Sequence, residues 1–319
     1  MSGSASRYPF TPYPDGWYYI AASKDLAPGE VKPLRCLGRD LVLFRSGSGE
    51  AVVFDAHCPH LGAHLGVGGK VEGDSLRCPF HGWRFGAEDG SCVEVPYRTR
   101  GRLPNAGLRR WRVDERSGLI LVWHSDAGTE PDWHMRDFDE YESDAWLGYV
   151  TRAWKIRMHV QELAENVPDR AHFQVVHGVP AVPDTPIRID GPVYYQTTQI
   201  PGEGGQDWVI ARQELWGLGL IWLYSGGEPE VLFVVATTPI DEEYCEVTQL
   251  LLVKDEWGTG EIPGETLGRI DAIFDQTEAD VPIWENKVYR ERPLLVEDDG
   301  PLPELRRWAR QFYPEQRQA

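Results

Sequence analysis

A chain of 319 residues is long enough for two domains with separate cores, and its formal net charge of −18 makes nucleic acid and anionic membranes poor partners. Five cysteines (Cys36, Cys58, Cys78, Cys92, Cys245) are too few, and odd in number, for a disulfide framework, which points to a reducing compartment. No apolar run reaches the roughly 18 residues of a membrane span, and Met1 to Arg7 is small and polar, so neither a signal peptide nor an anchor is expected and the location implied is the cytoplasm.

From Gly16 to about Asp126, short β-rich runs alternate with turns of Gly, Asp and Ser: Trp17 to Ala22, Leu41 to Arg45, Ala51 to Ala56, Ser91 to Tyr97, Leu108 to Glu115 and Leu119 to His124. They predict a small antiparallel β domain over residues 1–126. Residues 127–144 are acidic and turn-rich and read as a linker. A second domain, 145–319, opens with a strand at Gly148 to Met158, then helix signals from His159 to Val176 that end at Gly178 and Pro180. Further strands are expected near Ile187 to Ile200, Trp208 to Leu215, Gly219 to Ser225, Val231 to Thr238 and Cys245 to Lys254. Pro263 and Gly264 open a second helix with Leu267, Ile270, Ile273 and Phe274 at helical spacing. The fold class is α+β, with an antiparallel sheet covered by helices in the second domain.

Charge is uneven along this order. Residues 1–125 hold 16 Lys+Arg against 13 Asp+Glu, which leaves 16 against 37 for residues 126–319. Arg98, Arg100, Arg102, Arg109, Arg110 and Arg112 crowd the end of the basic part. They read as a charged strand edge or as a docking patch for an acidic electron donor.

Two loops of the first domain carry chemistry. H-C-P-H-L-G-A-H-L-G begins at His57 and L-R-C-P-F-H-G-W-R-F ends at Phe85, so Cys58 and His60 sit one residue apart and Cys78 and His81 two apart. A structural zinc also takes two Cys and two His, but it usually pairs like with like. One of each per loop suits a [2Fe–2S] cluster with cysteines on one iron and histidines on the other, and Pro59, Gly62, Gly66, Pro79 and Gly82 favour the tight loops it needs. His57 and His64 read as packing or solvent-facing groups.

In the second domain, E-N-V-P-D-R-A-H-F-Q-V-V-H-G at 165–178 places His172 and His177 five residues apart, about 140° around an ideal helix. They share a site only if the helix ends or distorts between them. Asp169, one turn before His172, can accept that ring's other N–H. A facial triad on Fe(II) also needs a carboxylate, for which the second helix offers Asp271, Asp275, Glu278 and Asp280; spacing leaves the choice open. Trp208, Trp216, Trp222, Trp257 and Trp284 can line an apolar cavity or simply pack in a core.

The two cluster loops, followed by G-S-C-V-E-V-P-Y, G-L-I-L-V-W-H and E-P-D-W, resemble the Rieske non-haem iron oxygenases, within them the group of the 3-ketosteroid 9α-hydroxylases and cholesterol 7-desaturases. The resemblance runs from about Pro9 to Phe312. It implies a terminal oxygenase that uses O₂ to hydroxylate or desaturate a steroid-like or other polycyclic apolar substrate, with a [2Fe–2S] cluster on Cys58, His60, Cys78 and His81. It implies Fe(II) on His172 and His177, and through E-A-D-V-P-I-W at 278–284 it puts the third ligand on Asp280 and Asn166 near the iron. A homotrimer follows from it, with His81 of one chain bonded to Asp169 of the next, and so does an electron supply from a separate NAD(P)H-dependent reductase or ferredoxin. No nucleotide-binding glycine fingerprint lies between a strand and a helix. An oxygenase of aromatic compounds and a pure electron carrier with a degenerate second domain are the alternatives.

Overall fold

The computed structural model describes residues 7–200, 208–225 and 230–316. The opening residues 1–6, read above as small and polar, lie outside this range. Two compact units emerge: residues 19–123 form the smaller, and the chain before and after them forms the larger.

The smaller unit is built from ten short strands: β1 (Gly16–Ala22), β2 (Val31–Cys36), β3 (Arg39–Arg45), β4 (Ala51–Asp55), β5 (Lys70–Val71), β6 (Ser75–Arg77), β7 (Arg84–Gly86), β8 (Cys92–Glu94), β9 (Val113–Arg116) and β10 (Leu119–His124). They make three sheets, ordered β1-β10-β9, β2-β3-β4 and β5-β6-β7-β8. The boundary between units falls inside β1 and at the end of β10. Alternation in β3 and β4 turns Val42, Phe44, Val52 and Phe54 into one core, where they meet Leu65, Leu76 and Phe85. Those last three residues bracket the two cysteine loops, so the loops hang from fully buried side chains. Strands β2 and β5 to β7 escaped the sequence reading. Those three of two or three residues have no periodicity to read, and β2 carries Pro33.

The larger unit holds a seven-stranded antiparallel sheet of β11 (Trp146–Ile156), β12 (Ile187–Asp190), β13 (Val193–Ile200), β14 (Trp208–Trp216), β15 (Leu220–Ser225), β16 (Val231–Pro239) and β17 (Cys245–Lys254), in the order β11-β17-β16-β15-β14-β13-β12. The single strand expected over Ile187 to Ile200 is a hairpin, because Asp190 pairs with Val193 around Gly191 and Pro192. Among the described residues five α-helices accompany the sheet: α1 (Asp139–Glu142), α2 (Val160–Asn166), α3 (Arg170–Val175), α4 (Gly264–Asn286) and α5 (Leu302–Ala309). Within 127–144, Met135 and Phe138 are buried and α1 forms.

Helix α4 buries Thr266, Ile270, Phe274, Thr277, Asp280 and Trp284, a stripe with steps of three and four. Leu267, expected on the apolar face, is exposed because it lies off that stripe. Ile270 and Phe274 pack on Val231 and Phe233 of β16 and on Leu251 and Val253 of β17. Phe274→Ala is expected to destabilise the fold by about 3–5 kcal/mol, the usual cost of emptying a buried aromatic site, read as a lower denaturation midpoint. A loss below about 1 kcal/mol would mean that α4 is not held by this contact.

Candidate active site

The two cysteine loops have matching backbones. In the first, Cys58 N–H donates to Ala63 O at 2.9 Å and Gly62 N–H to Cys58 O at 2.9 Å; in the second, Cys78 N–H donates to Trp83 O at 2.8 Å and Gly82 N–H to Cys78 O at 3.1 Å. Each turn closes through a glycine in the left-handed region, with φ of 75° at Gly62 and 72° at Gly82. The histidine sits two residues after the cysteine in one loop and three after it in the other, yet the His60 and His81 rings meet with centroids 4.7 Å apart. Both thiols are buried, at 2% and 3% exposure. Burial pushes the Cys58 thiol up to about 11, with Cys78 beside it adding to the rise, so a thiolate here needs a bound cation. His81 Nδ1 is buried without a hydrogen-bond partner. This donor set of two soft sulfurs and two imidazoles fits a [2Fe–2S] cluster. Cys36, Cys92 and Cys245 are buried thiols without a disulfide partner.

In the larger unit the helix expected over His159 to Val176 is two helices. Pro168 has no N–H to continue the helical ladder, so α2 stops at Asn166 with Val167 as its C-cap, and α3 restarts with Asp169 as its N-cap. Helix α3 ends at Val175, and the amides of Val176 and His177 both turn back to His172 O, at 2.7 and 3.4 Å. That termination is what lets two histidines five apart face one point.

The point is shared with α4. One ligand atom from each of His172, His177 and Asp280 lies within 4.8 Å of the others. His177 Nε2 is 3.3 Å from Asp280 Oδ2, and Asn166 Nδ2 lies 3.2 Å from the same oxygen and 3.1 Å from His172 Nε2. Two imidazoles and one buried carboxylate suit a mononuclear iron with positions left open. Asp280 is 5% exposed because it falls on the buried stripe of α4. Asp271, Asp275 and Glu278 point to solvent and surround Arg152 at 2.7, 3.4 and 3.6 Å.

Asp169 differs in detail from the expectation. The His172 Nδ1 contact goes to its main-chain carbonyl at 2.7 Å, which leaves Nε2 facing the site. The Asp169 carboxylate caps α3 by accepting from His172 N–H at 3.3 Å and stands 3.7 Å from Nδ1. Burial would raise this carboxyl, but hydrogen bonding and charge from His172 hold it below the usual range.

Sequence reasoning missed what holds α2. Glu162 and Glu165 are buried at 2% and 8% exposure. Arg306 of α5 grips Glu165 through two hydrogen bonds of 2.9 and 2.8 Å, and Lys287, just past α4, is ion-paired with Glu162. Burial, with Glu165 adding to it, raises the Glu162 carboxyl to about 8, and burial, with Arg306 and Arg7 adding to it, lowers the Lys287 ammonium to about 8, so desolvation works against both charges. Two acids beside the apolar Val160, Leu163 and Ala164 were the available signal. The five tryptophans named above scatter: Trp208 and Trp257 are exposed, Trp222 and Trp284 are buried, and Trp216 is half-buried.

His159 caps α2, accepting from Gln161 N–H at 3.2 Å with Nδ1 while Nε2 bonds Thr11 O at 3.0 Å. Accepting at Nδ1 needs a neutral ring, and burial lowers its pKa from 6.5 to about 4, against a smaller upward pull from the Thr11 hydrogen bond. The depressed value means that its contribution is complete above pH 6.5 and is lost as pH falls toward 4, about 3 kcal/mol in all. His159→Gln should flatten the pH dependence of unfolding between those limits; an unchanged acid limb would assign the loss to other groups.

Residues 16–111 match the Rieske [2Fe-2S] domain, and residues 122–313 match the 3-ketosteroid 9alpha-hydroxylase C-terminal domain. The chain is 32% identical over 330 residues to a cholesterol 7-desaturase of Hemicentrotus pulcherrimus, covering 95% of this chain and 70% of that protein. It is 31% identical over 324 residues to the 3-ketosteroid-9-alpha-monooxygenase oxygenase component of Mycobacterium tuberculosis, covering 95% and 82%. In fold it is similar to dicamba monooxygenase bound to dicamba, with a TM-score of 0.76, 20% identity and coverage of 95% and 98%.

Proposed function

We infer a substrate and a working assembly from the premise that this chain belongs to the Rieske non-haem iron oxygenases, in the group of the 3-ketosteroid 9α-hydroxylases and cholesterol 7-desaturases. It is a terminal oxygenase component with a [2Fe–2S] cluster and a mononuclear iron, and it depends on a separate electron-donating partner. The substrate is a steroid or sterol-like polycyclic molecule, hydroxylated or desaturated. The observation that carries this reading is the convergence of His172, His177 and Asp280 within 4.8 Å, in a chain that also brings Cys58, His60, Cys78 and His81 on paired loops.

When bound, the iron supplies O₂ activation and the cluster supplies single electrons. The chain's own residues do the holding. Cys58, His60, Cys78 and His81 ligate the cluster, and His172, His177 and Asp280 ligate the iron. The Asp169 carbonyl fixes the His172 ring by holding Nδ1, and Asn166 Nδ2 hydrogen-bonds Asp280 and limits its swing. Residues 1–126 serve as the electron-accepting domain, 127–144 as the connection and 145–319 as the catalytic domain. Head-to-tail contact in a ring of three puts His81 of one copy against Asp169 of the next. Exposed apolar groups beside each support it: Leu61 and Phe80 on the cluster loops, 65% and 61% exposed, and Val175 at the end of α3, 80% exposed. Electrons come from an NAD(P)H-dependent reductase or ferredoxin in the cytoplasm, a setting that fits five buried cysteine thiols.

The test is turnover of a sterol and aromatic panel with a surrogate reductase, followed by mass spectrometry. Loss of two hydrogens or gain of one oxygen on a sterol is expected, with about three iron atoms per chain, two in the cluster and one in the triad. Conversion confined to aromatic compounds would overturn the substrate, and about two iron atoms per chain with no turnover would leave only an electron carrier.

A further inference from the structure

The two histidines of the cluster loops have different surroundings. Phe80 lies against His81 with centroids 3.8 Å apart and is exposed, forming part of the apolar rim. His60 is stacked face to face on the Trp83 indole, with centroids 4.7 Å apart and an 8° tilt. Trp83 is buried, and its Nε1–H donates to Tyr97 Oη at 2.8 Å. Tyr97 is 56% exposed, so one stack and one hydrogen bond join His60 to the surface.

Past Tyr97 the chain runs through exposed Arg98, Arg100 and Arg102. No acidic group lies within salt-bridge distance of these three among the described residues. Of the other arginines of the basic run, Arg109 lies over the Trp111 ring at 4.4 Å and Arg110 is ion-paired with Glu50. Three exposed guanidiniums with no ion pair, beside an aromatic contact to His60, therefore put positive charge on the surface of a chain whose residues 126–319 hold 37 acidic against 16 basic side chains. An acidic donor would be repelled over most of that remainder and attracted here.

We propose that Tyr97 with Arg98, Arg100 and Arg102 forms the docking surface for an acidic one-electron carrier, and that Trp83 and Tyr97 couple the docked carrier to His60. The proposal rests on the cluster reading above. In the step the carrier is oxidised by one electron and one cluster iron goes from ferric to ferrous, with no bond broken. The Tyr97 ring also lies edge-on to that of His81, with centroids 6.4 Å apart, so the carrier docks beside both cluster histidines.

Stopped-flow reduction of the whole protein by a reduced acidic [2Fe–2S] ferredoxin tests it, against reduction by dithionite. The triple variant R98E, R100E, R102E is expected to slow ferredoxin reduction at low salt by about tenfold or more and to flatten its salt dependence. Its dithionite rate, cluster absorption and oligomeric state should match the parent protein. Tyr97→Phe, which keeps the ring and removes the hydroxyl, should lower the limiting rate several-fold at unchanged apparent ferredoxin affinity. An unchanged ferredoxin rate and salt slope in the triple variant would overturn the docking surface. A change in its oligomeric state would do so too, by assigning the arginines to contact between copies. A limiting rate in Tyr97→Phe equal to that of the parent would overturn the coupling. A parent protein with no Rieske spectrum would instead defeat the cluster reading, a distinct result.

Discussion

Asp169→Asn is expected to cut turnover by about 100-fold, the upper range for residues that orient a metal ligand, while both metals stay bound. The substitution is informative because asparagine caps a helix as well as aspartate does. Helix α3 should therefore still start at residue 170, with the His172 amide satisfied. The hydrogen bond that holds the His172 ring also survives, since it uses the main-chain carbonyl of residue 169. Only the negative charge is lost, on a side chain 45% exposed and so within reach of another copy. Iron content and the cluster's electron paramagnetic resonance spectrum should be unchanged, with single-turnover reduction of the iron site as the failing step. Normal turnover with full coupling of O₂ use to product would refute the bridging role proposed for Asp169.

Asp280→Ala should abolish turnover by emptying the mononuclear site. Two imidazoles would remain, and iron should fall from about three atoms per chain to about two, with the cluster signal intact. The carboxylate is buried and meets both Asn166 and His177, so its loss removes the partner on which both converge. Glu278→Gln is the control: its carboxylate is exposed and helps surround Arg152, and surface contacts of this kind contribute about 1 kcal/mol or less. Retention of about three iron atoms in Asp280→Ala would eliminate it as a ligand.

The contrast between these two acids shows how far sequence could reach. Asp271, Asp275, Glu278 and Asp280 were left open by spacing: at 100° per residue Glu278 and Asp280 stand about 80° to either side of the stripe set by Ile270, Phe274 and Trp284, and only packing buries Asp280. The break at Pro168 was available from the sequence, since proline has no N–H to continue the helical ladder. Other features had no local signal. The use of Asp169's carbonyl, not its carboxylate, depends on how α3 begins. The grip of Arg306 on Glu165 joins residues 141 apart.

The sequence by itself determined the chemistry of the cluster loops. Soft and nitrogen ligands, prolines and glycines lie within a few bonds of one another there, and short-range geometry leaves the backbone few ways to turn. Tertiary structure decided the second centre. Asn166 and Asp280 are 114 residues apart and meet only because α4 buries its stripe on β16 and β17 while α2 is tied to α5 and to Lys287. Such a meeting depends on summed burial across a whole sheet, which no local pattern of residues records.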